Sequence, residues 1–323
     1  MAAIVKDPSN IRLGMIGMTP GNGHPYSWSA IFNKYDREAM DKECPYRGIP
    51  LYLNKEDYDT IGIDGVKVTH VYCNQRKDAE HVAKLSLIPE VVDTPDEMIG
   101  KVDAVIIATD IGSEHVERAK PFMEAGIPIF IDKPLCDNYR DLCFFRKANA
   151  DGVKFCSSSS MRYCKEFIPF QNGRIREVGI PRLMTINMCK SWEAYGIHAL
   201  EAIYPIAGPG FVSIRNIGDD QNHNIVHLKH RNGFDVIIGS IYDMIFDPTI
   251  TISGTQGVLQ IKTTDSYSGF KTQLEKFIEY LRTGIPAVPF SETDELMLLV
   301  IGGILSKQRN GEEIFLKDIP TLS

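Results

Sequence analysis

The sequence lacks the runs that would place it at a membrane or on a nucleic acid. No apolar stretch approaches the roughly 18–20 residues that cross a bilayer. No cluster of Lys and Arg stands out, and 35 basic against 42 acidic residues leave a formal net charge of −7. That balance argues against general affinity for a phosphate backbone. The seven cysteines are odd in number and scattered, and no C-x-x-C pair occurs. A disulfide scaffold and a structural zinc site are therefore excluded, so no metal is expected. Reduced thiols point to the cytoplasm. The first ten residues carry no charged segment followed by an apolar core, so a secretory signal is not expected.

The rest has an ordinary globular composition, 43% hydrophobic and 24% charged over 323 residues. At roughly 100–200 residues per domain this length predicts two domains. The first part alternates two patterns. Apolar or β-branched runs at 11–18, 66–73, 102–108 and 127–131 read as buried strands. Residues 26–35, 76–85 and 114–125 read as helices, the last stopped by Gly126. Alternation of this kind predicts a parallel, doubly wound sheet with right-handed crossovers. Residues 42–65, with Pro45, Gly48, Pro50, Gly62 and Gly65, interrupt it as a long excursion.

Past about residue 134 the style changes. A helix at 139–148 and a strand at 153–157 precede closely spaced strand-like segments at 183–189, 211–217, 224–230, 235–240, 249–253 and 257–261. Asn232-Gly233 is a strong hairpin signal. Helices at 270–282 and 292–306 close the chain. The expected architecture is an α/β Rossmann domain, 1–134, followed by an α+β substrate-binding and oligomerisation domain, 135–323, with an open, mostly antiparallel sheet.

In a Rossmann domain the first strand feeds a Gly-rich turn and a helix N-terminus, whose N–H groups bind a pyrophosphate. Gly17 suits the first glycine of such a turn, Thr19 stands where the second is expected, and Gly21, Asn22, Gly23 and His24 form an enlarged turn. A plain Gly-rich turn with no phosphate is the alternative reading of the motif alone. The second strand should end in an acid for the adenosine ribose, but Cys73 occupies that place, followed by Asn74, Gln75, Arg76 and Lys77. A 2′-phosphate meeting Arg76, with Asn74 as a neutral donor, tilts the cofactor expectation from NAD slightly towards NADP. A solvated Arg-Lys pair at a helix start is the alternative.

Ile131-Asp132-Lys133-Pro134 resembles the Glu-Lys-Pro signature of the glucose-fructose oxidoreductase / inositol dehydrogenase (Gfo/Idh/MocA) family, with Asp132 in place of Glu. The run ending Ala108-Thr109-Asp110, followed by Glu114-His115, is similar to that family's fourth strand and following turn. Tyr195-Gly196-Ile197-His198 through Glu201 resembles its "D-x-G-x-H-x-x-D" helix, although the first Asp falls on Ala194. The resemblance covers essentially the whole chain. It implies an NAD(P)-dependent oxidoreductase acting on a secondary alcohol or ketone of a sugar, sugar derivative or cyclic polyol, assembled as a dimer or tetramer. Two alternatives remain open at this level: NAD-assisted elimination that cleaves a glycosidic bond, and a non-catalytic dinucleotide- or sugar-binding regulator.

Carried onto these positions, Lys133 polarises the substrate oxygen and His198 is the base. Glu201, three residues on along a helix, orients the imidazole. Tyr195 substitutes for the missing acid. Thr109 and Asp132 join the cofactor residues, while Arg162, Tyr163 and Trp192 line the substrate pocket. For each, core packing or a solvated surface is the competing explanation.

Overall fold

The computed structural model describes residues 2–218 and 222–322. Its strands are β1 (Ile11–Ile16), β2 (Val66–Tyr72), β3 (Glu90–Val91), β4 (Ala104–Ile107), β5 (Ile129–Ile131), β6 (Phe155–Ser157), β7 (Pro181–Cys189), β8 (Phe211–Asn216), β9 (His223–His230), β10 (Asp235–Ile241), β11 (Thr249–Gly254), β12 (Val258–Lys262) and β13 (Ile314–Phe315). The helices are α1 (His24–Asn33), α2 (Arg37–Glu43), α3 (Gly48–Leu53), α4 (Arg76–Leu85), α5 (His115–Glu124), α6 (Tyr139–Ala150), α7 (Ile197–Ala207), α8 (Ser266–Thr283), α9 (Phe290–Gln308) and α10 (Ile319–Leu322).

The chain forms two compact units. The first takes in the residues up to Asp132 together with Lys147–Ser157 and Phe270–Val288. Its six-stranded sheet runs β3-β2-β1-β4-β5-β6, and every pairing is parallel. The order reverses direction at β1, the switch point beyond whose C-terminal end ligands bind in such sheets. The apolar runs read as strands are buried: Ile11, Leu13, Ala104 through Ile107 and Ile129 are all wholly inaccessible, as strands covered on both faces should be.

The excursion before β2 is built rather than loose. Asp36 caps α2 by accepting from the Ala39 N–H at 3.0 Å. Its aromatic residues then pack on the Gly-rich turn. A β-carbon placed on Gly23 would meet the Tyr46 ring at 2.7 Å and Ile49 at 2.8 Å. On Gly17 it would meet Pro25 at 2.4 Å. Both glycines are thus required by close approach rather than by backbone angle.

The second unit takes in Lys133–Arg146, Ser158–Gly269 and the residues from Pro289 onward. Its seven-stranded sheet runs β12-β11-β7-β10-β9-β8-β13. Among the described residues only β7 and β10 pair in parallel; the other pairings are antiparallel. β9 and β10 form the hairpin signalled by Asn232-Gly233, with Gly233 at φ +78°. The sheet is thus mixed and mostly antiparallel, and α7 and α9 pack on it.

Candidate active site

In the first unit, the turn after β1 is tied to the ends of β4 and β5 by side chains. Thr19, nearly fully buried, donates its hydroxyl to Asp110 at 2.5 Å. The Asn22 amide donates to the Ala108 carbonyl at 3.1 Å and to Asp132 Oδ2 at 3.3 Å, and its Oδ1 accepts from the His24 N–H at 2.9 Å. His24 Nδ1 lies 2.6 Å from Asp132 Oδ2, and the carboxylate has no exposed surface. The imidazole stacks on Trp28, with ring centres 4.3 Å apart, and meets the edge of Phe270 at 5.4 Å. Nε2 of His24 has no hydrogen-bond partner among the described residues. Beside these, His115 donates from Nε2 to the Thr109 carbonyl at 2.9 Å and fixes the turn after β4. The Thr109 hydroxyl is buried with no protein partner among the described residues.

Gly17, Thr19, Gly21, Asn22, Gly23, His24, Thr109 and Asp132 all belong to this unit, at or just past the C-terminal ends of β1, β4 and β5. The donor set suits a dinucleotide. An orphaned buried hydroxyl, an imidazole with one ring nitrogen unused and a glycine turn before a helix are what a phosphate and ribose chain requires.

At the end of β2 the ribose end is less acidic than usual. Cys73 is buried, and its thiol is pushed up to about 12 by burial and then by the Asp78 charge. Asn74 accepts from the Arg118 guanidinium at 3.3 Å. Arg76 is held by Asp93 and, at 2.9 Å, by Glu80. The expected tilt towards NADP therefore has no support in the geometry: the arginine assigned to a 2′-phosphate is already paired with two carboxylates.

In the second unit Lys133, buried beside the cis Lys133-Pro134 bond, places Nζ 5.3 Å from the centre of the Tyr195 ring. That ring meets the His198 imidazole edge-on at 4.8 Å. Sequence spacing put Tyr195 on the helix of His198. The structure instead has a wide π-type turn over Trp192–Gly196, and α7 begins at Ile197, so His198 lies in its first turn.

Ser159, which the sequence reading missed, joins the pieces. Its Oγ is 2.6 Å from His198 Nδ1 and accepts from the Met161 N–H at 3.1 Å. Its own N–H donates to Glu201 Oε1 at 3.2 Å. Glu201 thus reaches His198 through Ser159, and its other oxygen accepts from Arg162 Nε. The available signal was the run Ser157 to Ser160 at the end of a strand, four polar residues that the structure buries.

Two of the expected substrate residues are held by protein partners. Trp192 is wholly buried and spends its indole N–H on the Val300 carbonyl at 3.0 Å, so it is a core residue. Arg162 is buried between Glu201 and Glu292, the latter at 2.8 Å, through Nε and Nη1, while its Nη2 has no partner among the described residues. Burial alone would lower its pKa, but the Glu201 charge and hydrogen bond outweigh that and raise it. Burial pushes the Glu201 carboxyl up, opposed by Arg162. Tyr163 is half-buried in the same segment.

Among the described residues no group of His, Cys, Asp or Glu is arranged to hold a metal ion, and no helix is long and apolar enough to cross a membrane.

Residues 11–149 match the family model GFO_IDH_MocA, "Oxidoreductase family, NAD-binding Rossmann fold". No curated protein sequence matches the chain. Among solved structures, a probable dehydrogenase from Thermotoga maritima is similar at TM-score 0.73 and 15% identity, over 96% of this chain and 100% of that one. A putative myo-inositol dehydrogenase from Sinorhizobium meliloti 1021 is similar at 0.70 and 16%, over 95% and 100%. Scyllo-inositol dehydrogenase from Lactobacillus casei, solved with bound cofactor NAD(H) and scyllo-inositol, is similar at 0.72 and 12%, over 95% and 99%. These likenesses establish the fold. Over residues 11–149 the chain is similar to the Gfo/Idh/MocA oxidoreductase family model, with its NAD-binding Rossmann fold.

Proposed function

We propose that the protein is an NAD-dependent dehydrogenase that interconverts a secondary alcohol and a ketone on a sugar, sugar derivative or cyclic polyol. The observation that carries this reading is the grouping of Lys133, Tyr195 and His198 within the second unit. A cation, a phenol and an imidazole are what a reacting C–O bond needs for charge stabilisation and proton transfer. The inositol dehydrogenases of similar fold support the substrate class.

When bound, the nicotinamide supplies the carbon that exchanges a hydride with the substrate. The chain does the rest. His198 takes the hydroxyl proton on oxidation and returns it on reduction. For the ring to act as a base at Nε2, its proton must sit on Nδ1, and the Ser159 hydroxyl 2.6 Å away is the acceptor for it. Ser159 is therefore a positioning residue. Lys133 stabilises negative charge on the substrate oxygen, and Tyr195 holds the lysine and histidine at its ring face and edge.

In the first unit, the Gly17 to His24 turn and the start of α1 receive the pyrophosphate. Asp132 fixes the His24 ring and leaves Nε2 available, and this nitrogen and the unpaired Thr109 hydroxyl would help hold the cofactor. Asn74 is the neutral partner for the ribose, which favours NAD because Arg76 is engaged elsewhere. Exposed apolar side chains on second-sheet strands, Leu183, Val212, Val258 and Phe315, support assembly into a homo-oligomer.

The test is absorbance at the reduced-nicotinamide band with a panel of sugars and inositols. Wild-type turnover that falls roughly 10²–10⁴-fold in His198→Ala and Lys133→Met supports the assignment, the range for removing a general base or an electrostatic stabiliser. Full activity in both variants contradicts it.

A further inference from the structure

Tyr195 carries a second ammonium group that the reaction above does not use. Lys190 Nζ lies 4.4 Å from the centre of the Tyr195 ring, nearer than Lys133. No carboxylate lies within salt-bridge distance of it among the described residues. Of the carboxylates in neighbouring segments, Glu201 pairs with Arg162 and Asp247 with Lys262 at 2.8 Å, and Glu193 and Asp243 form no ion pair with Lys190 among the described residues. Lys190 is also aimed by its backbone. It sits at φ +59°, a left-handed conformation that is uncommon for a residue with a side chain. Two hydrogen bonds to the end of β10 hold it there. Its N–H donates to the Tyr242 carbonyl at 3.3 Å, and its carbonyl accepts from the buried Ser240 hydroxyl at 3.0 Å. Such conformations persist where surrounding structure over-determines them, and they gather at functional sites. Phe246 adds an apolar edge to the same ring at 6.4 Å.

A neutral polyol gives a fixed cation of this kind nothing to pair with. We propose that the substrate bears an anionic group, a carboxylate or a phosphate, and that Lys190 binds it beside the Tyr195 ring while Lys133 and His198 handle the reacting oxygen. This rests on the dehydrogenase reading for the identity of the pocket, and it narrows the substrate to acidic sugars or sugar phosphates.

The test is calorimetric titration of the full-length protein, with and without NADH, using D-glucuronate, glucose 6-phosphate and D-glucose as probes. At least one charged probe is expected to bind roughly ten- to a hundredfold more tightly than glucose, the range a charge-assisted hydrogen bond supplies. Which one binds tells carboxylate from phosphate. Lys190→Met should abolish the preference, and Lys190→Arg, which keeps the charge on a similar stem, should retain most of it. Unfolding midpoints of both variants without ligand verify the fold. Charged probes that bind no more tightly than glucose, including no binding by any of the three, overturn the proposal. So does a preference that survives in Lys190→Met. A Lys190-dependent preference with no change at the nicotinamide band for any probe upholds the anion site and tells against the dehydrogenase. Turnover of neutral alcohols with no anion preference does the reverse.

Discussion

The imidazole of His24, at the first position of α1, lies 2.6 Å from the wholly buried carboxylate of Asp132, at the end of β5. The contact links the Gly-rich turn to the residue that immediately precedes Lys133. Removing one partner from a buried pair costs about 3–5 kcal/mol, because the other charge stays buried. His24→Ala should lower stability by that order, and the stack on Trp28 adds to the loss. Asp132→Asn, which keeps the shape, should cost less. A double-mutant cycle by urea unfolding is expected to give a coupling above about 1 kcal/mol; additivity within about 0.5 kcal/mol would mean that the contact contributes little.

Ser159 controls which nitrogen of His198 carries the proton. Ser159→Ala removes the acceptor at 2.6 Å and leaves the substrate-facing residues in place. The turnover number should fall more than KM changes, and its pH profile should shift. A profile that superimposes on wild type would assign Ser159 a purely structural role.

Arg162 holds two carboxylates in the second unit. Arg162→Met should cost about 3–5 kcal/mol, and the double variant with Glu201→Gln should recover part of it. The pH dependence has a defined sign. Burial already raises the Glu201 carboxyl above its ordinary 4.5, and Arg162 opposes the rise. Without the arginine the folded-state value climbs further. A raised value stabilises fully below the unfolded pKa and is lost as pH increases through the folded one. The deficit of Arg162→Met should therefore grow from pH 5 to pH 8 in thermal unfolding; a deficit that shrinks over that range would contradict this account.

The cysteines divide by environment. Cys143 is exposed, whereas burial, with the Asp78 charge, pushes Cys73 up to about 12. Iodoacetamide at pH 8, read by peptide mass spectrometry, should label Cys143 well before Cys73, since only the thiolate reacts. Equal rates would mean that the end of β2 is open to solvent.

Much of this fold is visible in local pattern. The apolar run at 102–108 is β4 with its flanks, and 76–85 is α4 to the residue, because β-branched runs and helical periodicity are local signals. The helices of the excursion were not legible. Pro45, Gly48 and Pro50 read as breakers, yet α3 starts at Gly48 and takes Pro50 in its first turn, where a missing N–H costs nothing. Lys133, Tyr195 and His198 were singled out by resemblance, and the structure brings them together. Ser159 and Lys190 were not, because their contacts are with residues 39 and 5 positions away that no spacing rule connects. The partners of Trp192 and Arg162, Val300 and Glu292, were not legible for the same reason: they are distant in the chain.

The central claim is that the first unit holds NAD, and the most direct measurement is thermal unfolding of cofactor-stripped, full-length protein with NADH and NADPH in parallel. A ligand at about 100 times its dissociation constant adds roughly 2.7 kcal/mol to the folded state. The account predicts a clear upward shift with NADH, and a smaller one with NADPH because Arg76 is bound to Asp93 and Glu80. No shift with either cofactor, or a larger shift with NADPH, would contradict it.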